Sequence, residues 1–254
     1  MDRCRLLSQS FRFGKGFVVK RLFDNIAYKY DLANVVISLG FSEVWRKKAV
    51  NFCKVKGKER MVLDLCSGTG TLSFEVLKSL GPYSVVVGVD FSQNMTRIAV
   101  ERSRTKRLDD RALFIEGDVL SLPLRDNIFD CVLTAFCLRN VESLEDMFRE
   151  AYRVLKPGGV FVALDLSMPS NTVVRKVYEK YLRFFVGPVG DTISGRPHYY
   201  HYIAESLQNY PDKRELGKTI ARAGFSRVRY YEFNLGAVSI HVGEKAMPRA
   251  DREQ

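Results

Sequence analysis

The chain of 254 residues has no apolar run near the roughly 18 residues that a membrane-spanning helix needs. Its five cysteines (Cys4, Cys53, Cys66, Cys131, Cys137) form no CxxC pair and no Cys/His metal spacing, so no metal site is expected. Cys66 and Cys131 fall in strand-like segments and read as small buried thiols, which implies a reducing interior with no structural disulfide. The amino terminus lacks the long apolar core and small-residue cleavage site of a secretory signal. Acidic residues are short in number, 29 against 40 basic ones, and the shortage is local. Residues 1–60 hold 14 Lys/Arg and 5 Asp/Glu, which is +9 of the net +11. Such a block suits nucleic acid, anionic lipid or plain solvent, and interleaved Phe and Leu favour an interface. Gly14 and Gly16 interrupt any continuous amphipathic helix there.

What is present is an ordered alternation of strands and helices around one stretch, Met61-Val62-Leu63-Asp64-Leu65-Cys66-Ser67-Gly68-Thr69-Gly70-Thr71-Leu72. It reads as a doubly covered strand, a tight glycine turn and a helix start. Residues 24–53 look helical with a break at Gly40, and 54–58 form a polar connector. Further strands are expected at 85–89, 112–115, 129–134 and 160–166, with a sharp turn at Lys156-Pro157-Gly158-Gly159 before the last. Residues 167–212 hold six of the twelve tyrosines and read as a helical insertion. A capped helix at 212–223 precedes two strands, 227–233 and 238–242, joined by a short turn at Asn234-Leu235-Gly236 and therefore antiparallel. The expected fold is α/β, Rossmann-like, with a seven-stranded mostly parallel sheet, a carboxyl-terminal antiparallel pair and helices on both faces. The organisation read is a basic helical segment (1–54), a main domain (55–245) with a helical lid (167–212), and a polar tail (246–254).

Asp64, Asp90 and Asp118 stand at or near the ends of successive strands, where open α/β sheets bind ligands. Asp90 lies 20 residues after Gly70, the distance at which a carboxylate reaches a ribose diol. A dinucleotide site shares these features. Here, though, Ser73 occupies the place of the third glycine, and Asp64 would crowd a pyrophosphate with like charge. A positively charged sulfonium cofactor suits acidic strand ends better.

Leu63–Gly70, Gly88-Val89-Asp90-Phe91-Ser92, Leu122-Pro123-Leu124, Phe129-Asp130 and Leu155–Gly159 together resemble the ordered motifs of class I S-adenosylmethionine methyltransferases. More narrowly, the chain resembles the ubiquinone/menaquinone C-methyltransferases from about Phe23 to Lys245. The likeness is carried by Tyr30-Asp31-Leu32-Ala33-Asn34 with Trp45, Arg153–Ser167, Phe136–Val141, Tyr200–Ser206 and Gly236–His241. Ala33, Ser42, Asp165 and Ala135 depart from residues usual in that family.

The resemblance implies S-adenosyl-L-methionine as cofactor. It places Gly68, Thr69 and Gly70 at the methionine portion and Asp64 near the ammonium. Asp90, with Phe91 beside it, falls at the ribose, Asp118 and Val119 at the adenine, and Ala135 under the sulfonium. It also implies a demethylated prenyl-quinol as acceptor, of the menaquinone or ubiquinone type. Arg139 would stabilise the ionised hydroxyl and Asn140 would orient the ring, with Tyr200 in the lid. A cytoplasmic protein peripheral to an anionic membrane surface is expected, residues 1–23 docking on lipid and 167–210 covering the acceptor entrance. A homo-oligomer is admitted. Nucleic acid is not expected, because the chain contains no Pro-Pro pair and hence no Asn/Asp-Pro-Pro-aromatic motif. The competing readings are a methyltransferase for another phenolic or lipid-like molecule and a non-catalytic nucleotide-binding protein.

Overall fold

The computed structural model describes residues 21, 23–53, 59–195 and 200–247. The basic residues 1–20, the connector 54–58 and most of the tail lie outside the described residues, and the docking expected of residues 1–23 falls there except for Arg21 and Phe23. Among the described residues no helix is long and apolar enough to cross a membrane.

Seven strands form one sheet: β1 (Met61–Leu65), β2 (Val85–Asp90), β3 (Ala112–Glu116), β4 (Phe129–Ala135), β5 (Leu155–Leu166), β6 (Ser226–Phe233) and β7 (Val238–Glu244). The order is β3-β2-β1-β4-β5-β7-β6. The first five are parallel, and β7 runs antiparallel to both β5 and β6, as the sequence pattern predicts. The chain grows outward from β1 in one direction to β3, then returns to place β4 on β1's other side. The crevice of this switch point therefore opens at the carboxyl ends of β1 and β4.

Alternation along the strands divides the core into two layers. Leu63, Val87, Val132 and Phe161 pack on one face with Met147, Phe148 and Ala151 of α5 (Leu144–Val154) and with Leu216 and Ile220 of α9 (Lys213–Arg222). Val62, Val86, Leu133 and Val162 pack on the other, against Trp45, Ala49 and Val50 of α2 (Phe41–Phe52) and Leu72 and Phe74 of α3 (Thr71–Leu77). Both layers are needed because a parallel sheet carries no solvent face. Side-chain caps set the helix starts: Ser92 opens α4 (Gln93–Thr105), Ser143 opens α5 and Asp212 opens α9.

A cap of helices covers the crevice. It comprises α1 (Tyr30–Ile37), α6 (Thr172–Tyr181), a π-helical turn (Leu182–Val186), α7 (Gly187–Ser194) and α8 (His201–Gln208). Ile26, Ala33 and Ile37 bury against Leu182, Val186 and Leu207, so the amino-terminal segment and the insertion share one apolar cluster. Gly40, at φ +79°, makes the expected break between α1 and α2.

Two expectations are corrected. Lys156-Pro157-Gly158-Gly159 is not a separate turn before a strand. Gly158 N–H donates to the Lys245 carbonyl and Lys245 N–H to the Gly159 carbonyl, so the segment is paired and bulges within β5. Gly158, at φ +79°, supplies the bend. The second correction concerns cysteine. Cys53, at the end of α2, and Cys131, in the middle of β4, form a disulfide with Cα atoms 5.9 Å apart. The pair is 78 residues apart in sequence, which no short-spacing rule can detect. The inference of a reducing interior rested on the absence of a pair, and that premise fails.

A disulfide closing so long a loop stabilises chiefly through the unfolded chain, by about 2–5 kcal/mol. Reduction, or Cys53→Ala with Cys131→Ala, should lower Tm by roughly 5–10 °C in calorimetry. The double variant should then show no further response to dithiothreitol.

Candidate active site

The loop after β1 turns through Cys66, Gly68 and Gly70 with φ of +55°, +55° and +80°. The two glycines serve different ends. A Cβ on Gly68 would meet nothing within 4 Å, so its bareness leaves room in the crevice. A Cβ on Gly70 would lie 2.7 Å from the Phe114 ring and 2.9 Å from Phe74, so it is bare for packing behind the loop. Gly70 accordingly does not line the cavity, whereas Gly68 and Thr69 do.

That cavity, of about 180 Å³, is walled by Asp64, Asp90, Phe91, Asp118, Val119, Ala135 and Asn140 among others. Asp90 accepts from Gly68 N–H and Ser92 N–H, both at 2.8 Å, and so ties the loop after β1 to the one after β2. Asp64 accepts from the Ser73 hydroxyl at 2.6 Å through Oδ2, while its Oδ1 is buried with no hydrogen-bond partner. Burial pushes the Asp64 carboxyl up to about 7, and neighbouring Asp90 adds to the rise against the Ser73 bond. Burial likewise lifts Asp90 to about 6, although the Ser92 and Gly68 N–H groups oppose it. Ser73, where a dinucleotide fingerprint has glycine, thus holds an acid.

A second cavity of about 380 Å³ adjoins the first. It is mainly apolar, and Tyr30 and Phe136 line both spaces. Phe136 sits at φ +62°, a left-handed conformation that a bulky residue adopts only when its surroundings enforce it. Arg139 lines the second cavity from the single helical turn Leu138–Asn140 that follows β4. Its Nη1 donates to Asp165 Oδ1 at 2.6 Å and to the Phe136 carbonyl at 3.0 Å, and Leu138 N–H holds the other Asp165 oxygen at 2.8 Å. Burial alone would lower the Arg139 pKa, but Asp165 and the surrounding tyrosines outweigh it and the guanidinium stays charged. Tyr30 and Tyr178 are pushed up chiefly by burial and stand as neutral phenols.

Of the residues singled out in the sequence, Asn140 faces the first cavity and Arg139 the second, so the two neighbours serve different spaces. Tyr200 lines neither. Its ring fills the place that a Cβ on Gly190 would take, at 2.2 Å, and its hydroxyl is buried without a partner, which fits packing within the cap. Two further residues escaped the sequence reading. Asp31 of α1 accepts from the Thr69 hydroxyl at 2.8 and 2.9 Å, from Thr71 at 3.2 Å and from Arg102 of α4, clasping the cap to the loop. Arg46 of α2 is buried in the wall of the first cavity, and among the described residues it makes no ion pair. Asp31 sits in the Tyr30–Asn34 stretch already noted, whereas Arg46 has no distinguishing local pattern. The described residues contain no cluster of three or more His, Cys, Asp or Glu arranged to hold a metal.

The residues present fit S-adenosylmethionine. A buried, unpartnered carboxylate oxygen on Asp64 awaits an ammonium, and Arg46 offers a cation in the same cavity. Comparison with known proteins agrees. The ubiquinone/menaquinone biosynthesis C-methyltransferase UbiE of Pseudomonas fluorescens is 38% identical over 227 residues, covering 89% of this chain and 88% of that protein. The same-named protein of Pseudomonas putida is 36% identical with the same coverage. Among solved structures, a SAM-dependent methyltransferase of Thermotoga maritima, described as a possible histamine N-methyltransferase, superposes with TM-score 0.63 at 20% identity, covering 89% of this chain and 99% of that one. Phosphoethanolamine N-methyltransferase 2 of Haemonchus contortus, in complex with S-adenosyl-L-methionine, gives 0.57 at 15% identity, covering 80% of this chain and 52% of that one. At those identities the likeness establishes the methyltransferase fold. The ubiE/COQ5 family model matches residues 11–245, and with relatives of this identity and coverage the chain belongs to the ubiE/COQ5 methyltransferase family.

Proposed function

We propose that this chain methylates a ring carbon of a demethylated prenyl-quinol, of the menaquinone or ubiquinone series. The observation that carries the reading is the pair of joined cavities. One is lined by the carboxylates of Asp64, Asp90 and Asp118; the other is mainly apolar, tyrosine-lined and carries one buried guanidinium. The names of the relatives agree with that acceptor. S-adenosylmethionine, when bound, supplies a methyl group on a sulfonium.

The chain's own residues then have separable tasks. Asp64 meets the ammonium of the amino-acid moiety and Arg46 its carboxylate. Gly68 and Thr69 leave room for that moiety, and Asp90 and Asp118 accept from the ribose and adenine, with Phe91 and Val119 as apolar walls. Ala135 and Asn140 line the donor space, next to Phe136, which with Tyr30 borders both. Arg139 faces the acceptor, where a fixed cation favours the ionised hydroxyl that makes the adjacent ring carbon nucleophilic. Asp165 holds that guanidinium in place. Apolar and phenolic walls exclude water from the reacting groups. Tyr200 acts through the packing of the cap. Peripheral contact with an anionic membrane follows from a substrate that partitions into lipid.

Three outcomes test this. Incubation with methyl-labelled S-adenosylmethionine and a panel of demethylated quinols should label a quinol ring carbon; labelling only of another phenol or of RNA would refute the acceptor. Cofactor affinity should rise with pH through about 6–7 and level off above. Protonated Asp64 cannot pair with an ammonium, and its carboxyl titrates near 7 in the free protein. Calorimetric Kd should therefore be about tenfold weaker at pH 6 than at pH 8, and Asp64→Asn should flatten that profile. Arg139→Ala should lower kcat by about 10²-fold with cofactor Kd nearly unchanged. Because it strands buried Asp165, the double variant Arg139→Ala/Asp165→Ala separates lost chemistry from lost folding.

A further inference from the structure

The rim of the acceptor cavity is itself apolar and open to solvent. Leu39, from the turn between α1 and α2, Phe41, which opens α2, and Val177, from α6, line the cavity and are also exposed, so the mouth lies between them. Beside the mouth stand Val173, 72% exposed, and Leu235, 79% exposed, neither of which lines the cavity. Leu235 adopts φ +57°, and its neighbour Asn234 is pinned through Oδ1 to the Trp45 indole N–H at 2.9 Å. The turn thus holds a large aliphatic side chain outward in a costly conformation, with no packing inside the fold to offset it. Isolated exposed apolar residues are ordinary; a ring of them from three elements around one opening is not.

We propose that this rim is the surface by which the protein seats on an anionic lipid bilayer, so that a prenyl chain passes from the membrane into the cavity without crossing water. The inference rests on the acceptor assigned above. Charge favours lipid as the occupant. Arg175, Lys176, Lys180 and Arg183 flank Val173 and Val177 against one carboxylate, Glu179, and Lys48 of α2 lies over the Phe233 ring, beside the turn that carries Leu235. Aliphatic tips ringed by flexible cations match a bilayer boundary, where chains take the former and phosphates the latter. The surface comprises described residues only and does not depend on the basic segment 1–20.

The test is co-sedimentation of the full chain with phosphatidylcholine vesicles with and without phosphatidylglycerol, for the wild type and for Val173→Glu and Leu235→Asp. Both changes are compatible with folding: an acidic residue suits the first turn of α6, and Asp tolerates a left-handed backbone. Each variant should reduce partitioning onto the anionic vesicles by about tenfold. Each should keep wild-type turnover of a water-soluble short-chain quinol and lose turnover of a long-chain quinol embedded in vesicles. Undiminished vesicle binding by both variants overturns the proposal. So does a change from dimer to monomer in gel filtration with vesicle binding intact, which would make the face a contact between two copies. Vesicle binding lost in the variants, with no quinol methylated by the wild type, would refute the acceptor while leaving the docking face standing.

Discussion

Asp64 and Asp90 end adjacent parallel strands, both buried, and neither can be ionised cheaply without donors or a counter-charge. Asp90 meets that demand with two backbone N–H groups, and in doing so fixes the two loops that line the crevice. Asp64 is only half satisfied, through Ser73. The unmet half is a buried acceptor that faces the first cavity and lacks a donor. Burial of that carboxyl lifts its pKa towards neutrality, and under the proposed function a cationic ligand would relieve the burial cost. Buried carboxylates at these strand ends disfavour a pyrophosphate by like charge.

The cap extends this logic to the acceptor. Asp31 reaches from α1 to the loop after β1 and to Arg102 on α4, so the helix that walls the second cavity is registered against the first. Arg139 and Asp165 form a buried ion pair that costs desolvation and is weak evidence for stability. What it does provide is one guanidinium held rigidly at an otherwise apolar wall, aligned by backbone groups on both sides. Positioning of that kind is what an in-line displacement demands of a protein.

Much of this was legible in the sequence because it depends on local pattern. Doubly covered strands, the glycine turn, the acidic strand ends and the antiparallel finish are all written in short windows, and each appears where the pattern places it. The departures have a common physical character. The Cys53–Cys131 bond, the pairing of Lys156–Gly159 with Lys245, and the approach of Arg46 and Asp31 to the cavity join segments far apart in the chain. Gly70 shows the same limit in miniature. Its spacing reads as ligand contact, yet what requires its bareness is Phe114, 44 residues downstream. Tyr200 sits in a motif of the family, yet its ring lies against Gly190 and lines neither cavity.

The disulfide also bears on how the site can open. It bolts α2, which carries Trp45 and Arg46, to β4, whose end leads into Phe136 and Arg139. The side of the crevice that carries Arg46, Phe136 and Arg139 is thereby cross-linked covalently, while α6, α7 and α8 opposite it pack through the apolar cluster that they share with Ile26, Ala33 and Ile37. The covalent link stiffens one side of the crevice, and the insertion carries no such link among its described residues. The two walls of the mouth are therefore a jamb and a door, and the arginine hangs on the jamb.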